Sequence, residues 1–142
     1  MRPTSPELII DGEGTITLTR THRRENRRPV VSISSTELAL LQYVRSAIGA
    51  GRITNKMRVR RHHSPSFAYT LYSRQALSLL TQVSPYLRTY KSERARLLLE
   101  EYLLVTPRNG RYTAAQRAAR EGLEERFFAI AMRSGTRRLF GH

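Results

Sequence analysis

Two acidic residues, Asp11 and Glu13, alternate with Gly12 and Gly14 directly after the apolar run Leu8–Ile10. Carboxylate oxygens are ligands that Mg²⁺ prefers, and the last carbonyl groups of a helix, which lack intrahelical partners, can join them. Acids at the C-terminal end of a helix also face the negative end of its dipole, so a bound cation would stabilise them. The stretch therefore indicates a divalent-metal site, with solvated acids at a capped turn as the alternative.

The elements that position these acids are indicated by the spacing of apolar residues. Alternation predicts strands, and apolar residues three or four positions apart predict helices. The predicted elements are, in chain order, a helix over Pro6–Asp11, strands over Thr15–Thr21 and Pro29–Ser34, a helix from Ser35 or Thr36 to Gly49, strands over Arg52–Arg61 and Ser66–Ser73, and helices over Gln75–Val83, Lys91–Val105 and Thr113–Met132. This order predicts an α+β fold in which one antiparallel sheet carries helices on one face. We expect a single domain over residues 1–142, with its core at about residues 5–106 and a last helix at about residues 113–132.

The chain is strongly basic. It has 25 lysine and arginine residues against 11 aspartate and glutamate residues, a formal net charge of +14, and Lys56 and Lys91 are its only lysines. A polyanion is therefore the first partner to consider. Because the planar guanidinium group of arginine matches phosphate and guanine edges better than an ammonium group does, the arginine bias favours a nucleic acid.

Composition and motifs also exclude several classes of protein. The absence of cysteine excludes disulfides and zinc–thiolate sites. No apolar run approaches the roughly 20 residues of a membrane span, and the N-terminus lacks a signal-peptide pattern. The sequence contains no phosphate-binding loop, nucleophile elbow or dinucleotide fingerprint. We expect a soluble, intracellular protein with no membrane partner.

The second face of the predicted sheet is polar, with hydroxyl side chains on the first two strands and basic side chains on the third. An antiparallel ribbon fits the major groove of DNA, where arginine can read guanine and hydroxyl groups can contact bases or phosphates. A solvated face with an incidental run of charge is the alternative. The candidate DNA-binding residues of this face and its loops are Thr15, Thr17, Thr19, Thr21, Arg23, Arg24, Arg27, Arg28, Ser32, Ser34, Arg52, Thr54, Lys56, Arg58, Arg60, Arg61, Thr70 and Tyr72.

Three segments carry a resemblance to a known family. They read LIIDGEGTI, SISSTELALLQYVRSAIGAGRI and SPYLRTYKSERARLLLEEY. With these segments in this order, from Glu7 to about Glu101, the chain resembles a single-motif LAGLIDADG homing endonuclease. The resemblance implies the element order αββαββα and a concave, DNA-binding sheet face.

The resemblance also implies roles for individual residues. Glu13, directly before the last glycine of the motif, would bind the divalent cation used for DNA hydrolysis, Mg²⁺ or another such as Mn²⁺, together with backbone carbonyl groups near Gly12. Asp11 stands at the earlier, supporting acidic position, and Lys91 matches a lysine that lies near the scissile phosphate. The sequence departs from the family pattern at Pro6–Leu8, where small residues would allow close contact between helices.

A single motif in 142 residues further implies a homodimer. Two copies would pair through the Pro6–Asp11 helix and make a Mg²⁺-dependent double-strand cut in a long pseudo-palindromic site of double-stranded DNA. The resemblance also implies an intron-encoded protein. The alternatives are a non-cleaving DNA-binding regulator derived from the family, an intron-RNA maturase, and a basic ribosomal or architectural protein.

Overall fold

A helix followed by two strands occurs twice in the first part of the chain. The structure, a computed structural model, describes residues 5–23, 26–56 and 65–130. The first elements are α1 (Pro6–Glu13), β1 (Gly14–Thr19), β2 (Arg28–Ser35), α2 (Leu38–Ile48), β3 (Arg52–Lys56), β4 (Ser66–Tyr72) and α3 (Ser73–Val83), followed by a 3₁₀ turn (Ser84–Tyr86). The predicted αββαββα order is confirmed.

The strands form one antiparallel sheet in the order β1-β2-β4-β3. Ile16 lies opposite Val31, and Val31 lies opposite Leu71, so alternate residues of neighbouring strands meet on one face. All three are at most 1% exposed, and α1, α2 and α3 contact the strands. Burial of this apolar face between sheet and helices provides the main driving force for folding this part of the chain.

Helix α1 contains both acids of the motif. The sequence predicts a helix end near Asp11, but the helix continues to Glu13, since the N–H group of Gly14 still donates to the carbonyl oxygen of Ile10. Strand β1 begins at Gly14 without an intervening loop. A Cβ atom at residue 14 would lie 2.7 Å from the Ile10 oxygen, so the direct change from helix to strand requires glycine there.

Two glycines with positive φ connect α2 to β3. Gly49 ends α2, as predicted, and adopts the left-handed conformation (φ 84°). Gly51 (φ 103°) lies so close to β4 that a Cβ atom there would be 2.5 Å from the ring of Tyr69. The Tyr69 hydroxyl donates a hydrogen bond to the carbonyl oxygen of Ala50, 2.5 Å away. Tyr69 therefore attaches this turn to the sheet.

Replacing Gly51 with alanine is expected to lower the free energy of unfolding more than replacing Gly49. Both variants place alanine at positive φ, which costs about 1–2 kcal/mol. Only the variant at residue 51 also pushes a methyl group into the Tyr69 ring, because a Cβ atom at residue 49 meets nothing within 4 Å. Overpacking of this kind adds about 1–3 kcal/mol. Urea unfolding measures the difference, and equal losses would contradict the tight contact.

Tyr69 should also make stability depend on alkaline pH. Burial raises the pKa of its hydroxyl from 10.0 to about 12. Above pH 10 the unfolded chain loses this proton while the folded chain keeps it, so the contribution to stability is complete below pH 10 and is lost as the pH rises towards 12. Between these values, the free energy of unfolding should fall less steeply in Tyr69→Phe than in the wild type. Parallel curves would show that the hydroxyl ionises equally in both states.

The chain divides into two compact units, with the boundary in the sequence between Leu87 and Arg88. The second unit contains α4 (Thr89–Leu97). The sequence predicts one regular helix from Lys91 to Val105, but the winding changes after Leu97 to a π turn and then a 3₁₀ turn. The expectation of a single domain stays a prediction.

Helix α5 (Ala114–Ile130) begins with two reciprocal hydrogen bonds. The N–H group of Gln116 donates to Oγ1 of Thr113 (3.1 Å), and the N–H group of Thr113 donates to Oε1 of Gln116 (2.9 Å). The predicted cap at Thr113 is therefore confirmed, and the pair satisfies two N–H groups at the helix start. The predicted end of this helix, beyond residue 130, lies outside the described residues. Within the part of the chain that the structure describes, no helix is long and apolar enough to cross a membrane.

Candidate metal centre and nucleic-acid interface

A cleft lined with oxygen atoms opens at the end of α1. Its volume is about 470 Å³, and its lining residues are Glu13, Ser34, Ser35, Thr36, Glu37, Leu40 and Ser66. Since β1 begins opposite Ile33, the end of α1 lies beside the end of β2. The direct helix-to-strand junction at Gly14 thus places the exposed Glu13 in this cleft.

Glu37 is a second acid of the same cleft, and the sequence predicts no role for it. It is the last residue before α2, and its N–H group donates to Oγ of Ser35 (2.9 Å). Ser35 therefore bonds to the residue before the helix, and the N-cap is Glu37 where Ser35 or Thr36 was predicted. The sequence does contain a signal for this arrangement. In an antiparallel pair the start of β1 lies beside the end of β2. Glu13 directly precedes β1, and Glu37 closely follows β2.

The donor atoms of the cleft suit a hard cation. Carboxylate, hydroxyl and backbone carbonyl oxygens are typical ligands of Mg²⁺ and Mn²⁺. Asp11 is not among the described lining residues, because side chains two positions apart on a helix differ by about 200° in direction. In the described ranges, no group of three or more His, Cys, Asp or Glu residues is arranged to hold a metal ion. Among the described residues, the cleft of one copy therefore offers two carboxylates, those of Glu13 and Glu37.

The two glycines of the motif differ in their surroundings. Gly12 is exposed, and a Cβ atom added there meets nothing within 4 Å, whereas one added at Gly14 meets the backbone and side chain of Ile10. Gly14 therefore sets the junction that positions Glu13. Gly12 instead leaves open space on the surface of α1.

The sheet face opposite the core carries mostly short polar side chains. Three rows of paired residues cross it: Thr15, Ser32, Thr70 and Arg52; Thr17, Val30 and Tyr72; and Ser34, Ala68 and Thr54. These rows contain many of the residues predicted to contact DNA. Val30 and Ala68 also lie on this face but are not among the residues predicted to contact DNA, and Val30 is only 6% exposed beside its partners Thr17 and Tyr72.

An arginine and a tyrosine from different strands stack on this face. Arg28 begins β2, Tyr72 ends β4, and the Cζ atom of Arg28 lies 4.4 Å from the centroid of the Tyr72 ring. Both residues are exposed, Tyr72 to 42%. The sequence predicts that each contacts DNA but contains no signal that they touch, because their contact depends on the pairing of β2 with β4.

Comparisons with known proteins decide the fold. No protein-family profile matches the chain, and no curated protein matches it. The homing endonuclease I-CvuI, solved with its DNA target in the presence of calcium, superposes with a TM-score of 0.69 and 15% identity over 89% of this chain and 79% of I-CvuI. The LAGLIDADG meganuclease I-AabMI, bound to uncleaved DNA, gives 0.62 and 19% over 85% of this chain and 44% of I-AabMI. This chain has the LAGLIDADG homing endonuclease fold.

The LAGLIDADG fold confirms the architecture predicted from the three sequence segments. A third structure, the LAGLIDADG homing endonuclease I-GzeII in complex with its DNA target, gives a TM-score of 0.59 and 14% identity over 90% of this chain. The chain spans 44% of the length of both I-GzeII and I-AabMI, so one copy of it covers less than half of either protein.

Within the LAGLIDADG fold of this chain, the predicted catalytic residues Asp11 and Glu13 belong to the first compact unit, and the predicted catalytic residue Lys91 belongs to the second. Lys91 lies in α4 and is only 6% exposed, although a solvated residue is the ordinary expectation for a lysine near a helix start. The catalytic roles of Asp11, Glu13 and Lys91 stay predictions.

Among the remaining predicted DNA contacts that the structure describes, Thr19 lies at the end of β1, and others follow or precede the strands of this LAGLIDADG fold. The sequence predicts a strand to Thr21, but β1 ends at Thr19, so Thr21 and Arg23 are exposed residues of the following turn. Arg27 is half-buried just before β2. Lys56 ends β3, and the other predicted contacts Arg24, Arg58, Arg60 and Arg61 lie outside the described residues.

Proposed function

We propose that this chain is a site-specific DNA endonuclease of the homing type, which cuts both strands of a long pseudo-palindromic site as a Mg²⁺-dependent homodimer. The observation that carries the proposal is the position of Glu13, which lines an oxygen-rich cleft together with Ser34. Ser34 also belongs to a row of the polar sheet face, so the acid and that face adjoin. The fold supports the proposal, because I-CvuI is a homing endonuclease solved with its DNA target.

DNA binding would use the polar face of the sheet. Its threonine and serine hydroxyls can donate to or accept from phosphates and base edges, and its arginines can contact phosphates or guanine. With a net charge of +14, much of the affinity would come from release of counterions, so binding should weaken steeply as salt is added. Because its substrate would be DNA, the protein would act inside the cell.

Cleavage would use the acidic cleft. Glu13 would hold the cation through its carboxylate, Gly12 would add a backbone carbonyl oxygen, and Asp11 would support the helix end. When bound, Mg²⁺ or Mn²⁺ would activate water and offset charge on the reacting phosphate. Lys91 would offset the same charge or orient water. Each strand would be cut once, leaving 5′-phosphate and 3′-hydroxyl ends.

Cutting two strands requires two copies, because one chain has a single Glu13. The proposed contact runs along the Pro6–Asp11 part of α1. Ile9 and Ile10 are buried within one copy, so the contact has to use the opposite side of the helix. The open space at Gly12 supports this arrangement, since a second backbone can approach there.

Selection of cleaved sites from a randomised plasmid pool with Mg²⁺ tests the proposal, alongside a measurement of mass in solution. We expect one long pseudo-palindromic site, a double-strand cut that disappears when EDTA is added, and the mass of a dimer. An uncut pool at every Mg²⁺ and Mn²⁺ concentration would overturn the nuclease. A monomer at micromolar concentration that still makes double-strand cuts would overturn the homodimer.

A non-cleaving, family-derived DNA-binding regulator or intron-RNA maturase is the second candidate. The observation in its favour is the length of α1, which has eight residues and begins at Pro6. Such a short helix offers few residues for the contact between two copies that double-strand cleavage requires. Sequence-specific binding to DNA without cutting would establish the regulator, and preferential binding to structured intron RNA would establish the maturase.

A further inference from the structure

The stack of Arg28 on Tyr72 forms one corner of the polar sheet face. Arg28 lies at the start of β2, and Tyr72 lies at the end of β4 opposite Val30, two residues along β2 from Arg28. The Cζ atom of Arg28 is 4.4 Å from the ring centroid. Both side chains are exposed, so the pair is accessible to a partner that covers this face.

Stacking changes what the arginine can do. The ring covers one face of the guanidinium group and restricts its orientation, while the N–H groups at its edge stay available as a planar fork. A fork held in one orientation loses less entropy when it forms two parallel hydrogen bonds. The pair is therefore suited to a planar acceptor with two oxygen or nitrogen atoms side by side.

The neighbours of the pair on β1 and β2 provide less selectivity than an arginine. Thr19 is paired with Arg28, and Thr17 and Val30 lie in the row of Tyr72. Threonine hydroxyls both donate and accept, so they bond to different bases without strong preference. Val30 is 6% exposed and has no polar side-chain atom. Among the described strand residues beside the pair, Arg28 is therefore the one suited to discriminate between bases.

We propose that Arg28, held by Tyr72, reads one guanine through its O6 and N7 atoms in each half of the DNA site. The proposal rests on the proposed DNA-binding function and names the base that this corner of the face selects. Arg28 contacts the base, and Tyr72 is a positioning residue that acts through Arg28. A phosphate contact by Arg28 is the competing role, and it would contribute affinity without selectivity.

The test measures binding to the selected site and to every single-base variant of it, in calcium at two salt concentrations. Wild type should prefer guanine at one position per half-site by roughly 5- to 150-fold. Arg28→Gln should remove that preference, or change it to adenine, while the profile at other positions stays the same. Tyr72→Phe keeps the stack and should keep the preference, whereas Tyr72→Leu should weaken it by roughly 2- to 5-fold. Arg74→Gln, an equal change in an exposed residue on α3, should leave this position unchanged.

Each outcome decides between the roles. Uniform weakening of Arg28→Gln across all sequences, with a salt slope smaller by about one, would assign Arg28 to a phosphate and overturn the proposal. An unchanged profile in Tyr72→Leu would overturn the positioning role of Tyr72. A wild-type protein that binds no DNA sequence in preference to others would overturn the DNA-binding function itself, which is a different result from a selective protein whose profile ignores Arg28.

Discussion

Replacing Glu13 with glutamine is expected to abolish DNA cleavage and to leave DNA binding intact. The amide keeps the size of the side chain but removes the negative charge that a cation requires. The cleavage rate should fall at least about 1000-fold, because metal stabilisation of the reacting phosphate is worth several kcal/mol and each 1.4 kcal/mol corresponds to tenfold. Affinity should stay equal or rise slightly, because a negative charge near the DNA is lost. Single-turnover cleavage and binding to the selected site measure the two effects separately.

Two further substitutions serve as comparisons for Glu13→Gln. Glu125→Gln makes the same change at an exposed position on α5 and should cut at the wild-type rate. Glu37→Gln alters the other acid of the cleft, so a comparable loss there would make both acids ligands of the cation. Cutting by Glu13→Gln at the wild-type rate, with Mg²⁺ still required, would assign the cation to other residues.

The architecture could be predicted because local signals and the tertiary fold agree. Ile16 and Leu18 alternate with threonines along β1, and the alternation that predicts the strand also selects the residues that become buried. Gly49 ends α2 because only glycine readily adopts its positive φ. Thr113 caps α5 through a hydrogen bond that needs only three residues of chain. Each of these features depends on residues that are close together in the sequence, so it can be predicted from the sequence alone.

The missed features depend on contacts between distant residues. The extension of α1 to Glu13 follows from the start of strand pairing at Gly14, and the burial of Val30 follows from its partners Thr17 and Tyr72. Glu37 joins Glu13 in one cleft because β1 and β2 are antiparallel. The sequence predicts that a sheet face is polar, but only the pairing register of the strands determines which of its side chains are in contact. Of the two acids in the cleft, the sequence therefore predicts a role only for Glu13.

The second unit contains a buried charge that the sequence does signal. Arg120 is 2% exposed, and it lies three and seven positions before Leu123 and Phe127, both of which are fully buried. This spacing puts the arginine on the apolar side of α5. Spacing alone does not identify the arginine as buried, because an arginine is seldom fully buried unless it is paired. Glu124 lies on the same helix, but the contacts with Thr106 and two tyrosines were not predictable, since these partners come from the segment before α5.

Replacing Arg120 with methionine is expected to lower the free energy of unfolding by about 3–5 kcal/mol. Its Nη1 atom donates to Oγ1 of Thr106 (2.7 Å) and to the hydroxyl of Tyr112 (2.9 Å), and its Nη2 atom donates to the hydroxyl of Tyr102 (3.4 Å). Its Nε atom lies 3.4 Å from Oε2 of Glu124, whose side chain is 13% exposed. Methionine fills similar space but leaves a poorly solvated carboxylate and several hydroxyls without their donor. Urea unfolding measures the loss.

Arg117→Met is the matched control, since Arg117 is an exposed arginine on the same helix that lies over the ring of Tyr112 at 5.5 Å. It should cost no more than about 1 kcal/mol. Adding Glu124→Leu to Arg120→Met should recover part of the lost stability, because the carboxylate left without its partner is then also removed. If the double variant is less stable than Arg120→Met, the cost arises from the hydroxyl contacts with Thr106 and the tyrosines. Equal stabilities of Arg120→Met and Arg117→Met would show that the buried guanidinium contributes no more than a surface charge.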